Sequence, residues 1–153
     1  MGKIGIIFYS ITGNTRSVAQ KLYRSLVIKN LDVQLLEIRT VSNDTKQTHV
    51  EFIEKPSVVD FDTLIIGSPV HGFMPSVAIK QYLEELNDLS NKKVILFVTH
   101  YFPFAWMGGN SSLKSMERLV LKKNGLVVQK FSINWTSRKR TAGIETFLNT
   151  ALV

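Results

Sequence analysis

Residues 4–15, Ile4-Gly5-Ile6-Ile7-Phe8-Tyr9-Ser10-Ile11-Thr12-Gly13-Asn14-Thr15, pass from a six-residue apolar run into a cluster of hydroxyl, amide and glycine residues. The run is of strand length and does not alternate, the pattern of a strand covered on both faces. Behind the cluster, Val18, Ala19, Leu22, Tyr23 and Leu26 fall on one stripe of a helix. A buried strand, a polar turn and an amphipathic helix in that order open a strand–helix–strand unit.

The rest of the chain repeats this grammar. Further apolar runs lie at Val33–Ile38, Thr63–Ile66, Val94–Thr99 and Leu126–Phe131. Helical stripes lie between and after them: Ile79, Tyr82, Leu83 and Leu86; Leu113, Met116, Leu119 and Val120; Ile144, Phe147, Leu148, Ala151 and Leu152. Asn14, Ser76 and Asn110–Ser112 read as N-caps, and Lys122-Lys123-Asn124-Gly125 as a basic last turn closed by glycine. The polar segment Val41–Pro56 carries only a weak helical period. Five strands alternating with helices predict one doubly wound α/β domain over residues 1–153, with its ligand beyond the carboxyl ends of the strands.

Composition narrows the chemistry. The chain has 153 residues, 44% of them hydrophobic, with two Trp, four Tyr and nine Phe, which is enough to build a core. Mean hydropathy is +0.07 and the sequence pI about 9.7. There is no cysteine, so disulfides, Cys-ligated zinc, iron–sulfur clusters and CxxC redox motifs are excluded. The three histidines, at 49, 71 and 100, have no metal-ligand spacing. The opening Met1–Asn14 is too short in apolar length for a signal-peptide core, and no run approaches a membrane span. The expectation is a soluble, cytoplasmic protein.

Three loops are placed to carry chemistry. Ser10–Thr15 follows the first strand: its hydroxyls, its amide and the N–H groups around Gly13 can surround an anion, or simply cap a turn. GxxxxGK[ST] is absent, and so is GxGxxG after the first strand. Gly67–Pro75 follows the third run, and a glycine among flat or bulky neighbours there suits a planar ligand, or ordinary turn chemistry. Thr99–Asn110 follows the fourth, with Tyr101, Phe102, Phe104 and Trp106 packed into six residues. Aromatics so dense in a loop form an interface, a wall for a flat ligand, or a small core of their own.

In this order the loops fit a phosphorylated, planar aromatic ligand, and the chain resembles the flavodoxin family over nearly its whole length. The resemblance rests on Ser10–Thr15, matching [ST]xTGNT, and on Phe61–Pro75, FDTLIIGSPVHGFMP, as third strand and second flavin loop. It implies a parallel sheet in the order 2-1-3-4-5 and FMN as cofactor. It assigns the phosphate to Ser10, Thr12, Asn14 and Thr15, with backbone N–H groups from Ile11 through Gly13 to Thr15. Pro69, Val70, His71, Gly72 and Phe73 would lie along the isoalloxazine, with Gly72 beside its N5. Thr99, His100, Tyr101 and Phe102 would cover the other face, with Tyr101 or Trp106 stacking on the ring.

The chain departs from the family in charge. Flavodoxins that shuttle electrons are usually strongly acidic, whereas this chain has a formal net charge of +7. No Asp or Glu lies between Thr99 and Ser115, and the basic run Arg138-Lys139-Arg140 follows the last strand. Two roles follow from the resemblance: an electron-transfer flavoprotein, or an FMN-dependent NAD(P)H/quinone-type oxidoreductase. The basic balance points to an acidic or anionic partner, either a redox protein or a small-molecule acceptor, and the chain to a monomer or weak dimer. A nucleic-acid binder is disfavoured, since the basic residues are spread among the helices rather than arranged in a stripe and the first loop would go unexplained.

Overall fold

The computed structural model describes residues 2–101, 108–135 and 140–152. In chain order the elements are β1 (Ile4–Phe8), α1 (Asn14–Ile28), β2 (Val33–Glu37), β3 (Arg39–Thr40), β4 (Phe52–Glu54), β5 (Thr63–His71), β6 (Met74–Pro75), α2 (Val77–Glu85), β7 (Lys93–His100), α3 (Gly109–Lys122), β8 (Leu126–Asn134) and α4 (Arg140–Thr150). The main sheet runs β2-β1-β5-β7-β8, all parallel, with β6 added antiparallel to β5. Counting the five long strands, this is the 2-1-3-4-5 order that the family resemblance implies, in the doubly wound α/β class that the runs predict.

The apolar runs are continuous because both sheet faces are covered. Ile4, Ile6 and Phe8 of β1, Ile65 of β5, and Ile95 and Phe97 of β7 face α1 and α4, where Leu22, Leu26, Ile144 and Phe147 are buried. Their alternates Ile7, Leu64, Ile66, Val94, Leu96 and Val98 face α2 and α3, against Ile79, Tyr82, Leu83, Met116 and Val120. Because β2 and β5 lie on opposite sides of β1, the connections leaving β1 and β5 diverge, and a crevice opens at their carboxyl ends.

Four local features differ from the sequence reading. Val41–Pro56 forms no helix; β3 and β4 pair antiparallel instead, Arg39 opposite Glu54 and Thr40 opposite Phe52. The segment is held from outside: the Gln81 amide donates to the Val50 carbonyl (3.0 Å) and accepts from its N–H (2.8 Å). Second, β5 continues past Ile66 to His71 and turns straight back into β6. Third, the caps shift. Gly13 caps α1 and Gly108 caps α3, while Ser76 caps α2 as expected, accepting from the Ile79 N–H at 3.3 Å. Finally, the left-handed residue closing α3 is Asn124 (φ +67°) rather than Gly125. Gly125 is needed for space, since a Cβ there would stand 2.6 Å from Val120 Cγ1.

Candidate functional site

Tyr9 follows β1 directly with its ring buried, and its Oη lies 3.1 Å from both Thr40 Oγ1 and Asn43 Oδ1. The next six residues form the first loop. Ser10 Oγ accepts hydrogen bonds from the N–H groups of Gly13 (3.1 Å) and Arg16 (3.3 Å), doing the capping that a side chain at the N-cap would otherwise do. Gly13 sits at φ +98°, where a side chain is strained. Its left-handed turn leaves the N–H groups of Ile11, Thr12, Asn14 and Thr15 without partners among the described residues. Four such donors at the start of a helix make a concave positive site. The Thr12 side chain is exposed beside them.

The cation nearest in sequence is already committed. Arg16 donates from Nε and a terminal nitrogen to both carboxylate oxygens of Glu37, at 2.8 and 2.7 Å, and this bond to Glu37 raises its pKa further. Positive potential at the loop therefore comes mainly from backbone dipoles. Arg16, Glu37, Tyr9 and Asn43 were not singled out by the sequence. Tyr9 and Arg16 could have been marked only by their places beside the loop and Glu37 by its place at the end of β2; Asn43, beyond β3, carried no such signal.

Two bonds tie this loop to the one after β7. Thr15 Oγ1 and Thr99 Oγ1 are 2.9 Å apart in the interior, and the Asn14 amide donates to Tyr101 Oη at 2.6 Å. Thr99 and His100 are buried, whereas Tyr101 is exposed. The His100 ring packs beneath the start of α3, and its carbonyl accepts the Trp135 N–H at 2.8 Å. Phe102 and Trp106, the other aromatics expected here, lie outside the described residues, as do Arg138 and Lys139 of the basic run. Arg140 stands over the Trp135 ring, 5.0 Å from its centroid. With Ser17 and Lys21 it lines a cavity of about 440 Å³ between α1 and α4.

The second expected loop is a tight hairpin. Val70 pairs with Pro75 and His71 with Met74, leaving Gly72 (φ +54°) and Phe73 (φ +69°) as the turn. Two consecutive left-handed residues are the signature of a type I′ turn, the kind that joins antiparallel strands directly. Pro69 lies opposite Thr99 in the β5–β7 register, so the hairpin rises beside the third loop. Its base is fixed where Ser68 Oγ accepts the Ser76 N–H (3.0 Å), and its tip where Ser111 Oγ donates to the Phe73 carbonyl (2.6 Å). Nothing lies within 4 Å of a Cβ placed on Gly72, so this side of the turn is open. Gly72→Val is expected to cost about 1–2 kcal/mol through backbone strain alone. Gly72→Asn, which tolerates the left-handed region, should recover most of it; equal loss in denaturant titrations of both would show a steric cause instead.

His71 is half-buried, and burial pushes its pKa below the ordinary value of 6.5. Between the folded and unfolded values the unfolded chain binds more proton, so stability falls as pH drops through that window. The His71→Asn variant should show a flatter dependence of unfolding free energy on pH just below 6.5. Identical pH slopes in both proteins would refute the assignment.

Among the described residues no group of His, Asp and Glu is placed to hold a metal, and no helix is long and apolar enough to cross a membrane. The arrangement is one of anion donors beside an open hairpin.

A family model described as a flavodoxin domain matches residues 5–134. No curated protein matches the chain. Solved structures do. A Lactobacillus acidophilus flavoprotein in complex with FMN is 20% identical over 86% of this chain and 93% of that one, with a TM-score of 0.67. Oxidised flavodoxin 2 from Bacillus cereus is 21% identical over 96% and 95%, with a TM-score of 0.68. Fusobacterium nucleatum flavodoxin bound to flavin mononucleotide is 18% identical over 97% and 96%, with a TM-score of 0.70. At these identities the structural likeness speaks for the fold. The family match speaks for descent, running from the second residue of β1 to the last of β8: the chain belongs to the flavodoxin family.

Proposed function

We propose that this chain is an electron-transfer flavoprotein that holds FMN at the carboxyl edge of its sheet. The observation that carries the reading is the set of N–H donors at Ile11, Thr12, Asn14 and Thr15, unpartnered among the described residues around left-handed Gly13. A phosphate group accepts such bonds along several directions at once. Thr12 adds a hydroxyl donor, and Ser10, whose oxygen already accepts two N–H groups, keeps its own proton to donate. Bound FMN supplies the redox chemistry.

The protein binds, orients and shields. In this reading Pro69, Val70, His71, Gly72 and Phe73 border the isoalloxazine, and the missing Cβ of Gly72 allows close approach. Tyr101, fixed by Asn14, covers the ring from the side of β7, with Thr99 and His100 supporting it from within. A neutral His71 adds no positive charge to that edge. No side chain has to exchange a proton with a substrate, which favours electron transfer as the role.

An absorption spectrum of the purified protein, followed by fluorescence titration with FMN, tests this directly. Flavin bands, or quenching of added FMN at one equivalent, are expected. A colourless protein that leaves FMN fluorescence unchanged would overturn the reading.

A further inference from the structure

Four basic residues, one from α2 and three from α3 and the turn that ends it, are brought together by the packing of these helices. A trough of about 510 Å³ runs between α2 and α3, lined by Met74, Lys80, Arg118, Leu119, Lys122 and Lys123 among others. Among the described residues that line it, Glu84 alone is acidic, facing Lys80 at 3.8 Å one helical turn away. The other carboxylates of these two helices are engaged elsewhere: Glu85 with Lys55 at 2.7 Å, and Glu117 with Lys130 at 3.1 Å. Arg118, Lys122 and Lys123 have no carboxylate partner among the described residues.

The trough begins at the hairpin. Met74 lines it, and Phe73 and Met74 expose 49% and 43% of their surface, a small apolar patch at the rim proposed to hold the flavin edge. From there α3 descends about 20 Å, at 1.5 Å per residue. An exposed apolar patch flanked by one sign of charge is the layout of a transient protein interface, where the patch supplies contact and the charges supply steering. The floor is aliphatic, Leu119 and Met74, and among the described residues no aromatic ring lines it for bases to stack on.

We infer that the α2–α3 trough and the hairpin tip together form the docking surface for an acidic redox partner protein, whose carboxylates face Lys80, Arg118, Lys122 and Lys123 while its electron-exchanging edge meets Phe73 and Met74. The inference rests on the proposed role but not on the phosphate loop.

Two charge-matched variants test it. Arg118→Glu/Lys122→Glu alters the trough, and Lys21→Glu/Arg140→Glu alters the cavity between α1 and α4; each changes net charge by the same amount. Poly-L-glutamate serves as the probe, titrated into the full-length protein with and without FMN and followed by calorimetry and backbone amide NMR. Wild type is expected to bind it with an affinity that falls as salt is raised. The trough variant should bind at least about tenfold more weakly and the cavity variant within about twofold of wild type. Amide signals of Phe73 and Met74 should shift together with those of α3. Equal weakening by both variants, or shifts that spare the hairpin, would overturn the proposal. So would tighter binding of oligothymidylate of equal charge, lost in the same trough variant, since the surface would then be a nucleic-acid site. Failure of FMN to bind would leave these outcomes readable, because the probe is measured without it as well.

Discussion

Gly67→Val is expected to cost about 3–5 kcal/mol of folding stability, which is a large part of what an ordinary domain has. Gly67 lies in β5 between Phe8 of β1 and Phe97 of β7. A Cβ on it would stand 2.1, 2.4 and 2.6 Å from three atoms of the Phe97 ring. That ring is fully buried and packs on Phe147, which in turn packs on Phe131, with centroid separations of 5.0 and 4.6 Å. It has nowhere to move without breaking the layer between the sheet and α4. Ordinary overpacking costs about 1–3 kcal/mol, and expelling Phe97 raises the loss toward that of deleting it. Combining Gly67→Val with Phe97→Ala should recover part of the loss, giving a coupling energy of opposite sign to the single effects. A single variant that unfolds within about 0.5 kcal/mol of wild type would show that the ring is free to yield.

Thr12→Val should weaken FMN by roughly 10- to 150-fold and leave riboflavin nearly unchanged, because a hydrogen bond to a charged group is worth about 1.5–3 kcal/mol and only FMN carries the phosphate. The substitution is clean. Thr12 is exposed and makes no hydrogen bond among the described residues, so its removal leaves folding within about 0.5 kcal/mol of wild type. Competition titrations of both ligands against wild type and variant measure the ratio. Equal weakening of FMN and riboflavin would show that Thr12 shapes the loop without touching the phosphate.

What the sequence made legible was whatever repeats at a fixed period. Continuous runs such as Ile4–Tyr9 and Val94–Thr99 announce strands buried on two faces, and their alternation with Leu22/Leu26 or Met116/Val120 stripes announces the layers. The hairpin was not legible. Ser68, Pro69 and Gly72 read as loop residues, yet Ser68 uses its hydroxyl to fix Ser76, and the strand continues to His71 before turning. The β3–β4 pair escaped for a related reason: its anchor, Gln81, lies 31 positions from Val50 and on a different element. In the first loop, composition announced the donors. It did not announce that Ser10 would cap from inside, or that Glu37 would occupy Arg16.

The bonds that join the first loop to the third have a consequence in time. Thr15 and Thr99 are 84 positions apart, and Asn14 and Tyr101 are 87. At a synthesis rate of about 5–20 residues per second, roughly 4–17 s separate the emergence of each pair's members. A nascent chain that has exposed only its first half already contains Gly13, the donors around it and the Ser10 cap, but the side chains of Thr15 and Asn14 still lack these partners. The hydroxyl and amide that brace the turn find their partners only when β7 has been laid against β5. If the loop holds phosphate as proposed, its last two bracing bonds are therefore a report from across the sheet that β7 is in place.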